Sequence, residues 1–136
     1  MRPMKVFLTG LLLSGLLGSA ESFGTAASST VRTDSGGGVT VKITFLDPKA
    51  SSDLRFQVVL NTHSVDLDGY DLKTLSILRD DMGKDYVPMR AENKGSGHHR
   101  EITLIFSKIA PESKRIEIVI RDIAGIKERT FRWNLE

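Results

Sequence analysis

Alternation of apolar and polar residues with a period of two constrains the fold of this chain more than any other feature. The segment VTVKITF shows it clearly, with an apolar face formed by Val39, Val41, Ile43 and Phe45. A strand with one buried face produces this pattern, because successive side chains point to opposite sides of a sheet. Apolar residues do not recur at helical spacing over any long stretch, so the sequence predicts an all-β fold.

Seven segments with strand character follow one another at fairly even spacing. We predict strands, in chain order, at residues 39–46, 54–62, 72–79, 85–90, 100–107, 115–121 and 128–135. Several short strands with turn residues between them are typical of a β-sandwich. The inward face of the third segment is ambiguous, because the apolar residues of LKTLSIL do not keep one parity. The predicted core contains Phe56, Val58, Leu104, Ile118 and Trp133.

The arrangement of these segments resembles the immunoglobulin-like β-sandwich from Val39 to Leu135. The stretches THSVDLD, LRDD, GHHR and IRDI also resemble those of small exported bacterial domains of uncharacterised function. The resemblance implies a seven-stranded antiparallel sandwich, and it carries no functional residue over to this chain. Because the chain has no cysteine, it lacks the Cys–Trp–Cys pattern of antibody domains and would form the sandwich without a disulfide.

The first residues have the composition of a secretory signal peptide. Two basic residues precede a short apolar run, and small residues follow up to Ala20. We therefore expect a signal peptide at 1–20, a flexible leader rich in Ser, Thr and Gly at 21–38, and one sandwich domain at 39–136. The protein is expected to be exported, periplasmic or secreted, with no membrane span after cleavage.

The charge balance argues against nucleic acid as a partner. The chain has 19 Lys and Arg residues against 17 Asp and Glu residues. Removing the two basic residues of the signal peptide, Arg2 and Lys5, balances the remaining charges. A neutral domain has no net charge with which to neutralise phosphates, and this neutralisation dominates nucleic-acid binding. The absence of cysteine also excludes thiolate zinc sites and thiol nucleophiles.

The chain's three histidines form the candidate site. His63 follows the second predicted strand, and His98 and His99 end the connection before the fifth. In an immunoglobulin-like sandwich these connections lie at one pole, where Asp66 and Asp68 would join the histidines. Imidazole and carboxylate groups are ligands of zinc and copper, so all five residues are candidate metal ligands.

A structural role for the same residues is the alternative. Histidines at strand ends often hydrogen-bond the loop backbone, and His98 and His99 would point to opposite faces if both lay on a strand. No catalytic residue or organic cofactor is predicted, because no nucleophile–base pairing or cofactor motif can be named. The sequence favours an exported non-catalytic binding or accessory module that recognises a protein or small ligand at this pole. A copper- or zinc-binding protein that uses the same histidines is the alternative.

Overall fold

The computed structural model describes residues 29–49 and 52–135, which form nine strands and one short helix. In chain order they are β1 (Val31–Gly36), β2 (Val39–Leu46), β3 (Leu54–Thr62), α1 (Leu72–Leu75), β4 (Ser76–Asp80), β5 (Asp85–Tyr86), β6 (Arg90–Ser96), β7 (His99–Phe106), β8 (Arg115–Ile123) and β9 (Ile126–Asn134). This part of the chain has nine strands where we predicted seven, because β1 and β6, which carry little alternation, were not predicted. No helix in the same ranges is long and apolar enough to cross a membrane.

The strands form two antiparallel sheets that share one core. The five-stranded sheet has the order β1-β2-β3-β7-β6, and the four-stranded sheet has the order β5-β4-β8-β9. Every strand pairing in both sheets is antiparallel. Apolar residues from both sheets belong to one buried cluster. The predicted all-β, two-sheet architecture is therefore confirmed.

β1 lies inside the segment that we expected to be a flexible leader. Its six residues, VRTDSG, pair antiparallel with β2. This sequence has one large apolar side chain, so β1 depends on polar contacts: the Asp34 carboxylate accepts a hydrogen bond from Arg129 at 2.9 Å. The leader prediction is wrong for 31–36, and the domain begins before residue 39. The predicted signal peptide at 1–20 lies outside the described residues.

The third predicted strand begins with a helical turn. Asp71 caps α1 by accepting a hydrogen bond from the Lys73 backbone N–H, and β4 starts only at Ser76. The helical turn interrupts the alternation of side chains between the two faces of a strand. The apolar residues of LKTLSIL therefore do not share one strand face. Leu72 from the helix and Leu78 from the strand are both buried.

The fourth predicted strand is divided between the two sheets. β5 pairs with β4 in a hairpin, and residues 87–89 then cross to the other sheet, where β6 pairs with β7. The sequence of β6, RAENKGS, is polar and mostly exposed because this strand is the edge of its sheet. An edge strand with no buried face shows no alternation, so the sequence placed a loop where β6 lies.

One core fills the space between the sheets. Phe56, Val58, Leu104 and Ile118 are fully buried and Trp133 is 3% exposed, which confirms the predicted core. Phe56 and Trp133 come from different sheets, and their ring centroids lie 5.3 Å apart. Alternation predicted these positions because each central strand turns one face toward the opposite sheet.

Candidate functional site

Four connections meet at one end of the sandwich, which we call the loop pole: residues 37–38, 63–71, 97–98 and 124–125. They are the β1–β2 turn, the β3–α1 connection, the β6–β7 turn and the β8–β9 turn. Antiparallel pairing places the start of β2, the end of β3 and the start of β7 side by side. His63 and His98 therefore lie in connections at the same end of the domain.

Backbone hydrogen bonds join the β3–α1 connection to the β6–β7 turn. The Thr62 N–H donates to the His98 carbonyl at 3.0 Å, and the Leu67 N–H donates to the Gly97 carbonyl at 3.0 Å. The Asp68 carboxylate accepts the Gly97 N–H at 2.7 Å. These three bonds fix the two connections to each other, so the central part of the loop pole has a defined shape.

Thr62 fixes the start of the β3–α1 connection, a role that the sequence suggested for His63. Its buried hydroxyl donates to the Gly38 carbonyl at 2.7 Å and accepts the backbone N–H groups of Ser64 and Val65. Thr62 thus links two connections of the loop pole, whereas the His63 side chain is exposed. Both residues stand at the end of β3, so sequence position alone did not distinguish them.

All five candidate metal ligands are exposed: His63, His98, His99, Asp66 and Asp68. The Asp66 carboxylate accepts the Asp68 N–H at 3.0 Å, so both carboxylates bond to loop backbone. His99 starts β7, where its Nδ1 contacts the Asn61 side chain and its Nε2 lies 3.6 Å from a Glu101 carboxylate oxygen. The described part of the chain contains no group of three His, Asp or Glu side chains that could hold a metal ion. The predicted set of ligands is therefore not gathered into one site.

The buried side chain of Arg100 holds the backbone of the loop pole through hydrogen bonds. The residue is 7% exposed, and its Nη1 donates to the carbonyls of Leu67 at 2.7 Å and Tyr70 at 2.6 Å. Its Nη2 donates to the Asn93 side-chain oxygen at 2.6 Å. A buried cation is costly unless hydrogen bonds compensate it, and here the compensating groups are in the β3–α1 connection and β6. Arg100 therefore determines how the connection lies on the sheet.

Arg129 has the corresponding role on the other side of the loop pole. Its side chain is fully buried, and Nη1 lies 2.9 Å from the Asp34 carboxylate. Its Nη2 donates to the carbonyls of Gly36 at 2.8 Å and Ile123 at 3.2 Å. The guanidinium thus joins the β1–β2 hairpin of one sheet to the β8–β9 hairpin of the other.

The β8–β9 turn is also held by Tyr70 and by a close approach of the β1–β2 turn. The Tyr70 hydroxyl accepts the Ala124 N–H at 3.0 Å. Gly37 has a φ of +63°, and a Cβ atom at this position would lie 2.2 Å from the Ala124 carbonyl oxygen. Only glycine permits both the left-handed conformation and this contact. All four connections of the loop pole are therefore linked to a neighbouring connection.

Asp71 ends the β3–α1 connection and stabilises the following turn. The Thr74 hydroxyl donates to its carboxylate at 2.8 Å, and this hydrogen bond holds the pKa of Asp71 below its usual value of 3.8. Burial opposes this hydrogen bond by raising the pKa to a smaller extent, and the backbone N–H groups of Lys73 and Thr74 each add a still smaller lowering of the pKa. The carboxylate is therefore kept ionised at the start of α1.

Sequence analysis missed both arginines, although a signal was present. Arg100 has the same parity as buried Ile102 in β7, and Arg129 has the same parity as buried Phe131 in β9. Each is thus a charged residue at a position that alternation directs into the core. A search for charges at inward positions would have found these two residues without any structure.

A shallow groove of about 400 Å³ lies beside the edge of the five-stranded sheet. It is lined by Gln57, Glu92, Asn93, Lys94, Glu101 and Thr103. The lining is polar and contains both signs of charge. Because its residues come from β3, β6 and β7, the groove is a property of the sheet face and lies apart from the four connections of the loop pole.

Comparison with known proteins gives no relative: the chain matches no family model, no curated protein and no solved structure. The chemistry available at the loop pole is therefore judged from its own groups. Exposed imidazoles and carboxylates surround a backbone that buried side chains hold in position. Such a surface can present hydrogen-bonding groups and charges to a partner in a fixed arrangement.

Proposed function

We propose that this chain is an exported, non-catalytic binding module that recognises a protein or small ligand through the loop pole. The proposal of export rests on the signal-peptide composition of residues 1–20. The proposal of binding rests on the linked connections. Loops that a rigid scaffold holds in place are the usual location of binding residues.

An immunoglobulin-like arrangement of the sandwich is part of this proposal. Its support is strand order, since β2-β3-β7-β6 and β5-β4-β8-β9 follow the ABED and C′CFG orders of that fold, with β1 added at the edge. In antibody variable domains the loops after the second strand and between the last two strands belong to the recognition surface. The β3–α1 connection and the β8–β9 turn correspond to these two loops.

One observation supports the proposal most strongly: the buried Arg100 side chain donates hydrogen bonds to backbone carbonyls of the β3–α1 connection. A buried charge costs several kcal/mol before its hydrogen bonds are counted, so the net contribution of these bonds to stability is small. Stability alone therefore gives no reason for an arginine at this inward position. A requirement for one particular shape of the β3–α1 connection does give a reason.

A copper- or zinc-binding function is the second candidate. The observation in its favour is the hydrogen bond between Thr62 and His98, which places the exposed imidazoles of His63 and His98 in adjacent segments. Zinc sites in proteins use three or four protein ligands, so two imidazoles alone would bind the metal weakly. This function would require a carboxylate such as Asp66 to leave its backbone contact.

Site-directed photo-crosslinking in the exporting cell tests the main proposal. A photoreactive amino acid replaces His63 or His98 at the loop pole, and matched controls carry it at Met82 or Lys108, which are exposed and lie away from the pole. All four positions are exposed, so the replacements leave the core intact. We expect a discrete adduct from the loop-pole positions and none from the controls. Adducts from the control positions alone would contradict the proposal.

Native mass spectrometry of the purified chain with Zn²⁺ or Cu²⁺ separates the two candidates. The binding-module proposal expects no stoichiometric metal adduct and the same thermal midpoint with and without metal. A one-equivalent adduct that disappears in His63→Ala, and that stabilises the fold less as pH falls through the imidazole range, would favour the metal function instead.

A further inference from the structure

The two sides of the sandwich differ in whether their edge strands are covered by a neighbouring strand. On one side, β1 and β9 lie together: the Arg32 guanidinium donates to the Arg132 carbonyl at 2.8 Å, and the Trp133 indole donates to the Thr30 carbonyl at 2.9 Å. On the other side, β5 has two residues, whereas β6 is a seven-residue edge strand with no neighbour beyond it among the described residues. β6 is thus the long open edge of this fold, and open edges can pair with another chain.

The charges along β6 form a regular pattern on the outer face of the sheet. Ala91 lies opposite buried Leu104, so residues of its parity face inward. The remaining parity places Arg90, Glu92 and Lys94 on the outer face, with charges that alternate in sign. Such a strand selects a partner whose charges alternate in the opposite order.

We propose that the strand that pairs with β6 is β6 of a second copy of this chain, in an antiparallel two-fold arrangement centred on Asn93. In this register Glu92 of each copy lies opposite Lys94 of the other, so two opposite-charge pairs form. An isologous contact of this kind uses the open edge of both copies and therefore closes at a dimer. The proposal is independent of the function proposed for the loop pole.

The alternative registers are less favourable because of charge, face or the length of β6 that they pair. Centring the pair on Glu92 would place Glu92 opposite itself and Arg90 opposite Lys94, and centring it on Lys94 would place Lys94 opposite itself. Like charges directly opposite each other destabilise a strand pair. A shift by one residue would join the outer face of one copy to the inner face of the other. Centring the pair on Ala91 would place Glu92 opposite Arg90, but only three residues of β6 would then lie opposite β6 of the other copy. Centring it on Asn93 pairs all seven residues of β6, so we favour this register.

The neighbouring strand extends the same complementarity. Lys94 lies opposite Glu101 of β7, so the row across the joined sheet reads Glu101, Lys94, then Glu92 of the second copy. The polar groove includes all three of these residue positions and would continue across the two-fold axis. Lys94 would therefore be flanked by a carboxylate on each side.

Exposed apolar side chains beside the edge give a second, separate argument. Val87 is 74% exposed and Met89 is 48% exposed, and both lie in the crossover that leads into β6. The Met89 N–H donates to the Ile105 carbonyl at 2.8 Å, so this residue continues the line of the edge. In the proposed register Met89 lies beside Gly97 of the second copy, which would remove part of its apolar surface from water.

Charge reversal with sedimentation analysis of the full chain tests the proposal. Glu92→Lys or Lys94→Glu alone puts like charges opposite each other in both pairs, and each should raise the dissociation constant of the dimer by about 10-fold or more. An equimolar mixture of the two variants restores opposite charges in both pairs and should form a heterodimer. Lys42→Glu, an exposed reversal on the outer face of β2, is the matched control and should dimerise like the unchanged chain.

Thermal unfolding shows whether each variant is folded. If one reversal lowers the stability of the chain, association in the equimolar mixture still reports whether opposite charges restore the pairing. A chain that remains monomeric at millimolar concentration overturns the proposal. A dimer that tolerates both single reversals also overturns it, because another surface would then form the contact. Recovery of association in the mixture, with neither variant associating alone, supports the β6 pairing and its register.

Discussion

The two ends of the sandwich are held together by different physics. At the end opposite the loop pole, the rings of Phe45, Phe56, Phe106 and Trp133 pack against one another, with Phe45 and Phe56 stacked at 4.5 Å. We call this the aromatic end. At the loop pole, buried Arg100 and Arg129 bond to loop carbonyls and polar side chains.

This difference separates stability from shape. Burial of apolar surface is non-directional and supplies most of the folding free energy, so the aromatic end stabilises the fold without determining the path of any loop. Hydrogen bonds from a buried guanidinium have fixed directions and a small net contribution, because the desolvation of the charge offsets them. The net contribution of the two arginines to stability is therefore small while their hydrogen bonds are intact, although removing either side chain leaves carbonyl groups unpaired and costs more.

Trp133→Ala should give the largest loss of stability. The side chain is almost completely buried between the sheets, and truncation leaves a large cavity, so we expect a loss of about 3–5 kcal/mol in the free energy of unfolding. Chemical denaturation followed by circular dichroism measures it. Trp133→Phe fills more of the space and loses the indole bond to Thr30, so it should cost less. An unchanged midpoint for Trp133→Ala would mean that the aromatic end is not the main source of stability.

Arg129→Met should have the next largest effect. The substitution keeps most of the apolar stem but removes the donor to the part-buried Gly36 carbonyl and the buried Ile123 carbonyl, and we expect a loss of about 2–4 kcal/mol. Arg121→Met, at an exposed position of β8, is the control and should change the stability little. If Arg129→Met unfolded with the stability of the unchanged chain, the hydrogen bonds of Arg129 would do no more than offset the desolvation of its charge.

The aromatic end could be predicted from the sequence, whereas the loop pole could not. Phe56 and Trp133 lie on strands whose apolar residues keep one parity, and the period of a strand then fixes which face is buried. The ambiguity of LKTLSIL had a physical cause, since the helical turn of α1 breaks the period of two. β1 and β6 were missed because polar contacts, rather than a buried face, hold them in their sheet.

The candidate site was predicted only in its location. Strand order placed the connections of His63 and His98 at one end, which the structure also shows. The sequence did not reveal that Thr62 and Arg100 fix those connections, because a hydrogen bond to a carbonyl depends on the path of a loop. The sequence also did not reveal whether the five candidate metal ligands come together, because this depends on the directions of their side chains. His99, at the first position of β7, contacts Asn61 instead.

Arg100→Met should change the shape of the loop pole more than the stability of the fold. The loss of three hydrogen bonds from one buried side chain should cost about 1–3 kcal/mol. Hydrogen exchange should increase at Leu67 and Gly97 while the amides of Phe56 and its neighbours stay protected. Equal loss of protection at both ends of the sandwich would contradict the separation of shape from stability.

Acid should have the smallest effect on the stability of the domain, and it should act through a different carboxylate at each end. The Thr74 hydroxyl lowers the pKa of Asp71 at the loop pole, and Arg79 lowers the pKa of Asp85 in the β4–β5 hairpin, both from 3.8. A carboxylate whose pKa is lower in the folded state stabilises the fold above its unfolded pKa. That contribution is lost as pH falls below 3.8 and through the lowered folded value, so acid should destabilise both regions slightly.

Asp71→Asn and Asp85→Asn separate the two contributions. Asparagine can still cap α1, so Asp71→Asn should remove the contribution of this carboxylate to the acid response of α1 while keeping the turn in place. Asp85→Asn should remove the ion pair with Arg79, which is partly exposed and therefore contributes little. Hydrogen exchange of α1 and of the β4–β5 hairpin, measured from neutral pH to below 3.8, reports each region. If Asp71→Asn left the acid response of α1 unchanged, the carboxylate would not be the group that couples this turn to pH.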